Sequence, residues 1–207
     1  VGRMAAGHIP PVTLSFLRWS LAFLIILPFA WKHLLHDWGA IRERLGIMIV
    51  LSITGIGAFN TLQYWALEHT QALNTLLLQS AGPLVVAVWS LANVGLHSVL
   101  SLKRPGIHAL TFVAFTFGAG AACLIPLFVW ELFTRPLMQI DAANLLSLFY
   151  VAVFPSTIAY LCFNRGVQLI GANRAAPFFH VIPVFGAAMA IVFLGERPQL
   201  FHVIGFA

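Results

Sequence analysis

Residues 69–102, HTQALNTLLLQSAGPLVVAVWSLANVGLHSVLSL, run 34 positions without a formal charge between Glu68 and Lys103. Four more charge-free stretches flank them: Leu45–Leu67, Pro105–Trp130, Ala142–Asn164 and Ala175–Gly195. Each reaches the roughly 20 apolar residues that a helix needs to cross a hydrocarbon core of about 30 Å. Such a pattern predicts an all-α, polytopic transmembrane helix bundle embedded in a lipid bilayer.

Composition supports that reading and removes others. Charged residues make up 8% of the 207 residues and apolar ones 60%, too little polar surface to solvate a globule of this size. The net charge of +5 comes from scattered basic residues near span ends, not from a block that could grip phosphates, so no nucleic-acid partner is expected. Cys123 and Cys162 both fall inside apolar stretches, where cysteine behaves as a small hydrophobe, and no metal or cofactor framework follows. Val1-Gly2-Arg3-Met4 carries no cleavable signal pattern, and both ends of the chain are expected to be cut.

The predicted spans are Pro10–Trp31, Leu45–Leu67, Ala72–Leu102, His108–Leu132, Ala142–Asn164 and Asn173–Leu194, followed by the start of a seventh. As a single helix the third would be about 45 Å long, so it must tilt strongly, break near Pro83 or Gly95, or join pieces of two helices. Loops 32–44, 103–107 and 164–174 hold seven Lys and Arg against three (Arg3, Arg135, Arg197) on the other side, which places the first group in the cytoplasm.

Sliding the chain against itself by 100 residues superimposes Leu45–Leu67 on Leu145–Val167, Thr70-Gln71-Ala72 on Ile170-Gly171-Ala172, and Pro83 on Pro183. Pro28, followed by Trp31, likewise has Pro126 and Trp130 as its counterparts. Three spans separate the corresponding units, an odd number, so the second copy enters the membrane from the opposite side. Inverted repeats of this kind are the architecture of secondary transporters, with the substrate site near the midplane between the copies.

The segments Pro11–Trp19 (PVTLSFLRW), Gly57–Leu67 (GAFNTLQYWAL) and Thr70–Pro83 (TQALNTLLLQSAGP) resemble the first half of EamA-type members of the drug/metabolite transporter superfamily. Asn164-Arg165-Gly166, Gly171–Ala175 (GANRA), His180–Val184 (HVIPV) and Leu194–Arg197 (LGER) resemble the second half, in the family's order. The resemblance implies two inverted five-helix halves, a small-molecule substrate and a ten-helix fold of which this chain is a truncated, internally deleted version. It implies a first repeat over residues 1–102, with a jump from the fourth helix into the sixth near residues 89–90. A second repeat then covers residues 103–207, its last helix cut short. The jump accounts for the overlong third span and removes the first half's counterpart of Gly195-Glu196-Arg197.

Arg18 is the one basic residue well inside a span. An intramembrane arginine either lines a cavity or pairs with an acid, or it snorkels to the interface along its apolar stem. Asn60, Gln63 and Tyr64 share one helix face at i, i+3 and i+4, and the equivalent second-half positions carry Tyr160, Phe163 and Asn164. They suit a substrate cleft, or hydrogen bonds that tie the bundle together. Gln79, Ser80 and His180 precede the paired prolines, where a broken carbonyl ladder exposes acceptors. His180 is more readily a packing residue than a proton carrier. His33, His36 and Asp37 read as a solvated loop rather than a zinc site, and Gly55, Gly57, Gly118 and Gly120 read as close-packing positions. The Glu196-Arg197 pair is expected to stabilise the turn after the last complete span.

Two function classes follow. The first is a secondary transporter exporting small metabolites, amino-acid or drug-like solutes, across the cytoplasmic (inner) membrane by alternating access; a non-transporting remnant is its nearest alternative. The second is an intramembrane enzyme, poorly supported because Asp37, Glu43, Glu68, Glu131, Asp141 and Glu196 all sit in loops or at span ends. The substrate, the coupling ion and the oligomeric state have no signature in the residues. The topology makes a direct prediction: single cysteines replacing His36 and Arg135, in a background without Cys123 and Cys162, should label from opposite sides of the membrane. Labelling of both from one side contradicts it.

Overall fold

The computed structural model describes residues 9–80, 107–136, 138–175, 178, 181–197 and 199, apart from the side chains of Ser80, Ala172 and Asn173. All regular elements among them are helical: α1 (Pro11–His36), α2 (Trp38–Glu43), α3 (Leu45–Ser52), π1 (Ile53–Ala58), α4 (Phe59–His69), α5 (Ala72–Ser80), α6 (Ala109–Thr134), α7 (Ala142–Val151), π2 (Ala152–Ile158), α8 (Ala159–Ile170), α9 (Ala172–Ala175) and α10 (Val181–Leu194). Four continuous helical runs, Pro11–His36, Leu45–His69, Ala109–Thr134 and Ala142–Ile170, are long and apolar enough to cross a membrane. Their outward faces carry large apolar side chains such as Phe29, Leu62, Phe133, Leu146 and Phe154, as lipid-facing surfaces require. Most of the expected third span, including Pro83, lies outside the described residues; α5 is its start.

The described residues form two compact units. In the larger, α1 and α6 are the central pair. Pro11 opens α1 at a position where its missing N–H costs nothing, and each helix carries a proline, Pro28 or Pro126, the same distance from its start. The pair is antiparallel, because each helix start is hydrogen-bonded to the other's end. The Glu131 carboxylate, near the end of α6 and 2% exposed, accepts from the Val12 N–H (3.2 Å), the Thr13 N–H (2.6 Å) and the Thr13 hydroxyl (2.8 Å). At the opposite end Asp37 accepts from the His108 N–H (2.9 Å) and the Thr111 hydroxyl (2.7 Å). Thr13 and Thr111 occupy the same place in their helices, so the two caps are related as the repeats are. Both satisfy N–H or hydroxyl donors at a helix start and place negative charge at its positive end.

Partial burial works against the Asp37 charge. The hydrogen bonds from Thr111 and His108, with the charges of His36 and His108, outweigh it and hold the carboxyl below its usual range. A lowered folded pKa means that this cap stabilises the fold above the carboxyl's ordinary value of 3.8 and is lost as pH falls through the folded value. The helix continues to His36, beyond the expected end at Trp31, because its last turn is used. His33 stacks on His108 at 4.0 Å, so His33 and His36 belong to the helix and not to the loop the sequence suggests, although His36 is exposed.

Between the caps the helices meet through equivalent residues. Trp19 packs on Phe117 (centroids 4.8 Å apart), with Ala22, Ile26, Val113, Ala121 and Leu124 completing the buried core. Small residues set the approach of the neighbours. A β-carbon on Gly120 would lie 2.4 Å from Ile56 Cγ2, and one on Gly118 2.9 Å from Phe23 Cε2. Gly57 has only ordinary contacts and Gly55 none, so two of the four expected packing glycines carry that role.

The other two spans of this unit are each interrupted by a wide π-helical turn, π1 and π2, at closely corresponding places of the repeat. In π2 the cause is Pro155, which has no N–H to donate and crowds the preceding turn. Ser156 and Thr157 hydroxyls donate to the Val151 and Ala152 carbonyls (2.7 and 2.9 Å), so the widened turn leaves fewer acceptors bare in the apolar interior. In π1 the Asn60 amide donates to the carbonyls of Gly55 (3.1 Å) and Ile56 (3.4 Å).

The smaller unit contains α5, α9 and α10. Gly186 lets α10 approach Leu76 of α5 closely, a β-carbon there falling 2.8 Å from Leu76 Cδ2. Gly195, at φ +65°, ends α10 in the left-handed conformation that glycine tolerates best. Beyond it Glu196 accepts from the Ala72 and Leu73 N–H groups at 2.9 and 3.0 Å. Glu196 therefore caps α5, a helix more than a hundred residues earlier, in addition to standing in the turn where the sequence placed it.

The caps are testable by stability. Glu131→Ala should lower the unfolding free energy by about 2–3 kcal/mol, since it strips buried donors of a charged acceptor. Glu43→Ala, at an exposed site, should stay within about 0.5 kcal/mol. Equal melting temperatures for the two variants in detergent would contradict the reciprocal cap.

Candidate functional site

Arg18 stands one turn and more inside α1 and is 7% exposed. Its Nε donates to Ser156 Oγ in π2, and its Nη1 donates to Tyr64 Oη and to Asn60 Oδ1 (3.3 Å) in α4. The guanidinium carbon lies 4.4 Å from the Trp19 ring and 5.8 Å from the Tyr64 ring. Arg18 does not snorkel; it is a buried cation held by neutral oxygens. The backbone bonds made by Asn60 and Ser156 leave both side chains oriented toward it, so the two wide turns that look like defects in the spans aim its partners. Wide turns of this type recur at functional sites.

Tyr160 borders the same cluster, edge-on to Trp19 (5.4 Å, 82°) and to Phe117 (5.5 Å, 73°). Asn164 is buried but donates to its own helix at the Tyr160 carbonyl (2.8 Å). Gln63 is half-buried, and its side chain joins no hydrogen bond among the described residues. Gln79 belongs to the smaller unit, and His180 lies outside the described residues. The structure thus draws Arg18, Asn60 and Tyr64 together, sets Tyr160 beside them, and adds Ser156 and Trp19, which the sequence reading does not single out. A serine directly after an intramembrane proline was the available signal for Ser156.

The described residues hold one ion pair, Arg135 with Glu68 at 2.9 Å, and no group of His, Cys, Asp and Glu suited to a metal ion. A cavity of about 210 Å³ opens beside Thr13, Leu17, Phe128 and Glu131. Its walls are mostly apolar, and the Glu131 carboxylate is committed to the α1 cap, so its chemistry is poorer than that of the Arg18 cluster.

Comparison with known proteins decides the family. The family model described as EamA-like transporter family matches twice, over residues 1–95 and 94–207. The chain belongs to the EamA-like transporter family. It is similar to an uncharacterized transporter of Archaeoglobus fulgidus, 22% identical over 98% of this chain and 86% of the relative. It is also similar to the uncharacterized transporter YyaM of Bacillus subtilis, 25% identical over 99% and 84%. A third relative, an uncharacterized transporter of Clostridium kluyveri, is 31% identical over 57% of the chain and 36% of its own length. No solved structure matches. The two longer alignments run over 253 and 269 positions against 207 residues, so these relatives carry residues inside the matched region that this chain lacks. This EamA-type, drug/metabolite-superfamily member is a multi-pass membrane transporter by family, and a small-molecule substrate goes with that membership.

The cluster predicts unequal mutational costs. Tyr64→Phe and Ser156→Ala each strip one acceptor from a buried guanidinium and should cost about 1–3 kcal/mol of stability. Gln63→Ala should fall within about 0.5 kcal/mol. Melting curves in detergent that rank all three alike would contradict the assignment of Arg18 partners.

Proposed function

We propose that this EamA-type protein is a secondary transporter that exports small metabolites, amino-acid-like or drug-like solutes, across the cytoplasmic membrane by alternating access. The observation that carries the reading is the Arg18 cluster: a buried cation whose partners come from spans of both sequence halves and flank two corresponding wide turns. Inverted-repeat transporters hold their substrate and coupling-ion sites near the midplane where the two repeats meet, and polar groups drawn from both halves suit such a site. Asn60, Gln63, Tyr64, Tyr160 and Asn164 belong to the solute path in this reading.

A second reading concerns this chain as written. The matched relatives hold residues that it lacks, and the two family matches meet at residues 94–95, inside the expected third span. We place the repeats at 1–102 and 103–207, joined by a deletion near residues 89–90. The first copy then lacks one wall of the cleft, and the 207-residue chain transports weakly or not at all.

Counterflow of amino acids and related metabolites in proteoliposomes tests both statements. A version with the missing helices restored from a relative should exchange at least one solute, and the 207-residue chain should exchange it much more slowly. Equal rates would show that the absent residues are dispensable. No exchange by either would end the transporter reading.

A further inference from the structure

We propose that the Arg18 guanidinium is a receptor for a single carboxylate on the transported solute. The purpose of such a receptor rests on the transporter reading above; its chemistry does not.

Arg18 carries a full charge at 7% exposure, and no acid of the described residues pairs with it. A buried charge without a counter-ion is costly, the more so in an apolar span. Three neutral oxygens reduce the cost without cancelling the charge, so an anion reaching this point gains what the protein itself withholds.

Hydrogen bonds account for Nε and Nη1, and none among the described residues engages Nη2. The one fully buried side-chain polar atom without a partner among the described residues is Trp19 Nε1, so Nη2 is not among the atoms closed off completely. Two of the three guanidinium nitrogens are thus fixed and the third is presented, an orientation suited to an incoming oxyanion.

Charge number selects the class. Arg18 is the only Lys or Arg well inside a described span, so it neutralises one negative charge. A carboxylate leaves none over. A phosphate dianion would leave a second charge unpaired in the same apolar surroundings. A purely structural arginine is the competing account, and it predicts no anion response.

The test reads binding without transport. Because the guanidinium lies 4.4 Å from the Trp19 ring, an anion on Nη2 should change Trp19 emission. Benzoate, titrated into the purified detergent-solubilised chain, should give a saturable fluorescence change, and the neutral benzamide should not. Asn60→Asp places a carboxylate where Asn60 Oδ1 now lies 3.3 Å from Nη1, supplying the missing counter-ion in place. It should weaken benzoate binding at least about tenfold while the chain stays folded. Arg18→Gln should abolish the response, and Asn60→Asp carries the test alone if that variant does not fold. Equal responses to benzoate and benzamide, no saturable benzoate response, or undiminished benzoate affinity in Asn60→Asp would each overturn the proposal. Benzoate binding by a protein whose restored version exchanges nothing would keep the receptor and sink the transporter reading. Solute exchange indifferent to the carboxylate would do the reverse.

Discussion

The antiparallel pairing of α1 with α6, closed at both ends by carboxylates from the opposite helix, is the constraint on which the larger unit depends. Helix starts leave N–H groups without partners, and near a membrane core an unpaired donor is expensive. Glu131 and Asp37 remove that cost at the two ends, and together they fix the register of one helix against the other. Once the register is set, Trp19 meets Phe117, the small surface of Gly120 comes under Ile56, and Arg18 is carried to the level of both wide turns. A slip by one turn would undo all of these contacts at once.

Scarcity of charge gives five of the six acids a separate task. Of the acids, Asp37, Glu131 and Glu196 cap helices distant in sequence, Asp141 caps its own helix through the Asn144 N–H, and Glu68 holds Arg135. That distribution leaves Arg18 without an anionic partner among the described residues, although Ser156, Asn60 and Tyr64 surround it. Capping at the ends and an uncompensated cation in the interior are therefore two sides of one arrangement. Negative charge is spent where helix dipoles favour it, and the interior keeps a positive charge that neutral oxygens orient but do not neutralise.

Much of this was readable from the residues. Three of the four described spans follow directly from runs without charge, the first carrying Arg18, and the matching of Pro28 with Pro126 anticipates two helices with the same placement of proline. The i, i+4 spacing of Asn60 and Tyr64 puts both on the face that reaches Arg18. What escaped depends on distant partners or on subtle backbone geometry. No local pattern says that Glu131 serves Thr13 or that Glu196 serves Ala72, since the chain separation exceeds a hundred residues in each case. The wide turn at Ile53–Ala58 has no proline to announce it, and Ser156 becomes a partner of Arg18 only because Pro155 turns it there. Gly55 shows the opposite failure: a small residue that looks like a packing site but has nothing against it.

The central claim is that Arg18 is buried and bound by side chains of both halves instead of reaching for the membrane surface. Magic-angle-spinning NMR of the protein in lipid bilayers, with arginine guanidinium nitrogens and tyrosine ring carbons labelled, addresses it directly. A through-space contact between an arginine Nη and a tyrosine ζ carbon, absent from a Tyr64→Phe sample, is the expected result. A contact between the Arg18 guanidinium and lipid phosphorus would contradict it, because only a snorkelling side chain could make one.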